Sequence, residues 1–167
     1  MSSAKKLQEA AFFIELLHAL EERGAPLTWC DDPSLEASFL FAAILNAFYS
    51  TIAMMEKEGV NAKAFRAAHP AIYAHGRGER AKTVHTAHVE TVHSGYIPPR
   101  GDKVVLTFRR PPRLAPVKES APGCADLHFR AEHYMHIEMT GENVHALQFC
   151  EEHLAELTAF RAAMTTT

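Results

Sequence analysis

The sequence predicts an α+β chain: a mainly helical up-down bundle of four to five helices with a small two- to three-stranded antiparallel sheet near the C-terminus. Three observations predict it. Apolar residues recur at helical spacing up to about His93 and again from Asn143 onward. After Pro98-Pro99 the pattern changes to β-branched clustering and then to strict alternation. The chain has 167 residues, 47% hydrophobic and 22% charged, which is enough for one domain with a buried core.

The first helix is expected over Ala4 to Arg23, where Leu7, Ala11, Ile14, Leu17 and Leu20 share a face and Gly24 supplies a stop. A loop with Pro26 and the single tryptophan, Trp29, follows. Asp32-Pro33 is a helix start, an N-cap acid before proline at the first helical position. That helix should run to about Glu58, with Gly59 as its stop. Its stretch Ala37 to Met55 carries no charge. Ser38, Asn46, Tyr49, Ser50 and Thr51 interrupt it, so the expectation is the central helix of a bundle and no membrane span. One of its faces suits burial by a second subunit, which predicts a homodimer through residues 37–55.

Asn61 should cap a short helix ending near Ala68, before Pro70. Ala71 to Gly78 is ambiguous, because Gly76 and Gly78 weaken a helix. Glu79 to His93 is expected to be helical, with Ala81, Val84, His88 and Val92 on one stripe. Lys103 to Arg109 has strand composition. Pro111, Pro112, Pro116 and Pro122 mark a loop. From Asp126 to Thr140, Leu127, Phe129, Ala131, His133, Met135, Ile137 and Met139 share one parity, a half-buried β pattern with a bend near Ala131. A last helix is expected to open in the Asn143 region, with Val144, Leu147, Cys150, Leu154, Leu157 and Phe160 along one face. The chain thus reads as one domain, 1–167: a helical core over 1–95, a β unit over 96–141 and a C-terminal helix over 142–163 that packs on the core.

Met1 to Gln8 has no apolar run and does not read as a secretory signal. Cys30, Cys124 and Cys150 are odd in number and far apart, which argues against a disulfide framework. A reducing, cytoplasmic setting is expected. Net charge is −3, unevenly spread. Residues 57–118 hold 12 basic and 4 acidic residues, against 3 and 8 before them and 2 and 8 after. Such asymmetry suits an anionic ligand, RNA or an acidic protein surface.

Eleven histidines are many for this length. His85 and His88 are three apart on a predicted helix and share a face, whereas His133 and His136 would lie on opposite faces of a strand. No metal site is demanded by this spacing. If one exists, His85, His88 and His133 are its candidates, and a histidine-ligated metalloenzyme is one alternative reading. No phosphate-binding loop, nucleophile elbow or paired-carboxylate motif is recognisable, and no cofactor is expected. The basic cluster is the more informative: Arg77, Arg80, Lys82, His85, His88 and His93 lie in or just before one predicted helix, with Arg109 and Arg110 following on the first strand. Around that helix Arg80 and His88 stand about 80° apart and His85 and His88 about 60°, so the three border one groove.

A long apolar second helix, holding Ser38-Phe39-Leu40 through Asn46-Ala47-Phe48-Tyr49-Ser50, precedes a helix with the Arg-x4-His element Arg80 to His85. In this the chain resembles the HEPN (higher eukaryotes and prokaryotes nucleotide-binding) superfamily over roughly Ala4 to Gly95. The resemblance implies a dimer whose motif helices face each other, RNA as ligand and metal-independent ribonuclease chemistry. It assigns Arg80 to charge stabilisation at the scissile phosphate and His85 to general acid–base work at the ribose 2′-hydroxyl. Arg77, Lys82, His88, His93, Arg109 and Arg110 would add binding contacts. The family usually has a polar residue after the arginine; here it is Ala81. The other alternative is a non-enzymatic interaction module.

Overall fold

The computed structural model describes residues 2–74, 92–93, 96–97, 107–108, 133–137 and 142–165. Among these the chain is mostly helical. Helix α1 spans Ser3–Arg23, α2 Pro33–Lys57, α3 Lys63–Ala68, α4 Pro70–Tyr73 and α5 Ala146–Thr165. Short strands are β1 (Val92–His93), β2 (Tyr96–Ile97), β3 (Thr107–Phe108), β4 (His133–Ile137) and β5 (Glu142–His145).

Local chemistry explains the helix ends. Gly24 closes α1 in the left-handed region, at φ 65°, with its N–H bonded to Leu20 O. Asp32 caps α2: its carboxylate accepts the Ser34 N–H at 2.8 Å, and Pro33 follows at the first turn. Glu36, one turn in, reaches back to accept the Leu27 N–H at 2.7 Å and ties the connecting loop to the helix. Beyond α2, Gly59 turns the chain at φ 92°. Asn61 Oδ1 accepts the Lys63 N–H at the entry to α3, and Pro70 both ends α3 and opens α4.

Helix α2 is long and apolar enough to cross a membrane by length and composition, and half of its most apolar stretch is buried by the chain itself. Ala37, Phe41, Ile44, Leu45, Phe48, Ile52 and Met55 pack against Ala10, Ile14, Leu17 and Leu20 of α1 and Ala146, Leu147, Cys150 and Leu157 of α5. Two buried hydroxyls within α2 are satisfied locally. Thr51 Oγ1 donates to Ala47 O and Ser38 Oγ donates to Ser34 O, one turn back.

The helix directions follow from two tie points. At one end, Glu58 after α2 accepts the Ser3 N–H at 2.8 Å and the Ser3 hydroxyl at 2.6 Å, while Arg161 of α5 donates to Ser3 Oγ. These bonds hold the Glu58 carboxyl below its usual range. At the other end, Glu21 of α1 meets His145, which directly precedes α5. Both α2 and α5 therefore run antiparallel to α1.

Strand β4 pairs antiparallel with β1, His93 opposite His133, and with β5, Met135 opposite Val144. Strands β2 and β3 pair with each other, Tyr96 opposite Phe108. Two sequence expectations are corrected. Val92–His93 is strand, not the end of a helix over 79–93, because its backbone is taken up by β4; residues 79–91 lie outside the described residues. The final helix starts at Ala146, not near Asn143, because Glu142–His145 is paired along β4. Val144 sits at strand rather than helical register with Leu147.

Candidate functional site

Two clusters of titratable side chains emerge where these elements meet. The first is a buried node where the end of α1 meets His133 and His145. Glu21 lies in the last turn of α1, where the helix dipole disfavours a carboxylate, and it is 0% exposed. It persists there because donors converge on it. The His133 backbone N–H, at the start of β4, donates to Oε1 at 2.8 Å. His145 Nε2, at the end of β5, lies 3.1 Å from both carboxylate oxygens. His133 Nδ1 stands 3.4 Å from Oε1, and its ring is fully buried. Burial alone would raise the Glu21 carboxyl, but the hydrogen bonds of His133 and His145 and the charge of His145 outweigh it and bring it to about 2. This node fastens His133 to the end of α1 and fixes the His145 ring.

The second cluster sits where the α3–α4 junction meets the middle of α5. His69 precedes Pro70, which keeps it out of the helical region, at φ −121° and ψ 60°. Its Nδ1 lies 2.8 Å from Phe65 O, an acceptor only, so this nitrogen carries a hydrogen. Its Nε2 faces Glu156 Oε2 at 2.6 Å. His153, one turn before Glu156, places Nδ1 at 4.0 Å from the same oxygen. The other His153 nitrogen, Nε2, is 2.8 Å from the Tyr73 hydroxyl. Burial, with the neighbouring His69, pushes His153 down to about 3, so its ring is neutral over the physiological range. Burial also raises the Tyr73 hydroxyl. Aromatic rings hold the two imidazoles. Phe65 lies 4.3 Å from the His69 ring, Phe48 meets the His153 ring edge-on at 4.7 Å, and Phe160 stacks on Phe65 at 4.6 Å.

Of the residues singled out from sequence, Arg77, Arg80, Lys82, His85, His88, Arg109 and Arg110 lie outside the described residues. His93 is on β1, opposite His133. His133, named there as a possible ligand, is engaged at the Glu21 node. Sequence reasoning missed Glu21, His145, His69, His153 and Glu156. Two signals were present: Glu21 continues the buried stripe Ala10, Ile14, Leu17, and His153 continues the stripe Ala146, Cys150, Leu157.

Comparison with protein-family models, with curated proteins and with solved structures finds no match.

Proposed function

We propose that this chain is a HEPN-like helical module that binds RNA or another polyanion as a homodimer, with Arg80 and His85 carrying metal-independent cleavage. In this reading it is an α+β chain in which a small antiparallel sheet near the C-terminus anchors the basic segment to the bundle. The observation that carries it is the separation of charge. Residues 75–132 hold 10 basic and 6 acidic residues, whereas residues 2–74 and 142–165 together hold 7 basic and 13 acidic ones. Cationic charge is concentrated in the part of the chain between α4 and β4. Strand β1 returns that part to the Glu21 node through β4, next to the end of α1. An acidic scaffold with a basic segment steers a polyanion to the segment. The free thiols of Cys30 and Cys150 support a cytoplasmic setting.

The test is binding of a labelled single-stranded RNA at two salt concentrations. With about four phosphate contacts, affinity is expected to fall about fifty-fold between 50 and 200 mM salt. Arg80→Ala should weaken binding, and His85→Ala should abolish cleavage while leaving binding in place. A flat salt response, or variants that bind and cleave like the wild type, would overturn the reading.

The second reading, a non-enzymatic interaction module, is favoured by α2. Beside its buried face it carries Leu35, Ala42, Ala43, Asn46, Ser50 and Ala53 at exposed or half-buried positions, and residues 37–55 have no charge. Light scattering of the purified chain should give twice the monomer mass of 18.5 kDa. A monodisperse monomer would remove both the dimer and this reading.

A further inference from the structure

We propose that His69, His153 and Glu156 form a binding site for a divalent first-row transition metal ion, with zinc as its simplest occupant. None of these three residues takes part in the polyanion reading, and the site goes beyond it.

The donor atoms are already gathered. One from each residue lies within 4.8 Å of the others. Nitrogen and oxygen ligands about 2.0–2.2 Å from a tetrahedral ion stand roughly 3.3–3.5 Å from one another. The contacts of Glu156 Oε2, 2.6 Å to His69 Nε2 and 4.0 Å to His153 Nδ1, bracket that spacing. The Glu156 side chain is 59% exposed, so its carboxylate is free to swing between the two rings.

Both imidazoles are also supported as ligands usually are. A metal-bound histidine holds its second ring nitrogen on a fixed partner, which sets the tautomer and the ring plane. For His69 that partner is Phe65 O, which keeps a proton on Nδ1, so an ion would displace only the Nε2 proton that faces Glu156. For His153 it is the Tyr73 hydroxyl, which can accept from Nε2–H and leave Nδ1 as the donor atom.

A plain ion pair between His69 and Glu156 accounts for only part of this. It gives no reason for a second imidazole, 3% exposed, to be packed edge-on against His69 at 4.8 Å and turned toward the same carboxylate oxygen. A bound cation makes all three groups favourable neighbours. Two imidazoles and one carboxylate, without thiolate, suit zinc or iron(II) over magnesium or calcium. Solvent reaches the site beside Glu156, which leaves a coordination position for water.

The experiment uses the full chain, purified without an affinity tag and stripped with chelator, titrated with Zn2+ in competition with a chromophoric chelator. One tight zinc per chain is expected in the wild type. Glu156→Gln and His69→Gln should each weaken that zinc by about 100-fold. Cobalt(II) in place of zinc should give visible ligand-field bands that both variants lose. Glu156 is largely exposed, so Glu156→Gln should keep the wild-type circular dichroism, which separates loss of a ligand from loss of the fold. A wild-type chain that takes up no tight zinc would overturn the proposal. Retention of wild-type affinity in either variant would overturn it as well, since the ion would then sit among other histidines.

Discussion

Glu21→Ala is expected to destabilise the chain by about 3–5 kcal/mol, the usual cost of removing one partner from a buried, hydrogen-bonded charged group. The carboxylate is fully buried and receives the His133 N–H and the His145 ring. Without it, the His133 N–H and the His145 ring lose the carboxylate they share. Glu21→Gln, which keeps the shape and one acceptor oxygen, should cost less. The two variants also differ from wild type in pH dependence. The Glu21 carboxyl sits at about 2 in the folded chain against 4.5 ordinarily. A depressed acid contributes stability that is complete above about pH 4.5 and is lost as pH falls toward 2. The full contribution is about 3 kcal/mol at about 1.4 kcal/mol per unit. Between pH 7 and pH 3 the stability gap between wild type and Glu21→Gln should therefore narrow by about 2 kcal/mol in urea titrations. A gap that stays constant with pH would show that Glu21 is not the acid that fastens His133 and His145 to α1.

The legible parts of this chain are those governed by local rules. Asp32-Pro33, Gly24 and Gly59 mark helix ends because capping and positive φ are decided within a few residues. The leucine stripe of α1 and the uncharged run of α2 reveal the core because helical period alone decides which side chains meet. What was not legible depends on pairing across the chain. Glu142–His145 carries Val144 three positions before Leu147, which fits a helix as well as a strand, and only β4 decides between them. Val92–His93 is the same case, decided by its partner His133. The two clusters are harder still. Glu21 meets His133 across 112 positions, and His69 meets Glu156 across 87. Spacing motifs such as His85-x2-His88 draw attention to near neighbours, whereas the clusters in the structure join distant segments. The usable hint was a polar residue at a core position. Glu21 and His153 both occupy buried stripes, and a buried ionisable group needs a partner.

Phe48→Ala is expected to cost about 3–5 kcal/mol, while Trp29→Ala should change stability by no more than about 0.5 kcal/mol. Composition alone would rank them the other way, since a lone tryptophan is commonly a core anchor. Here Trp29 is 94% exposed in the loop before α2, and Phe48 is fully buried between α2 and α5. Truncating Phe48 leaves a cavity and removes the edge-on contact to the His153 ring at 4.7 Å. Phe48→Leu keeps much of that volume and should recover a large part of the loss. Unfolding is best followed by far-ultraviolet circular dichroism, because the emission of an already exposed Trp29 changes little on unfolding. Near-equal costs for Phe48→Ala and Trp29→Ala would mean that the α2–α5 contact does not hold the core. The wall behind His153, on which the proposed metal site rests, would then have no rigid backing.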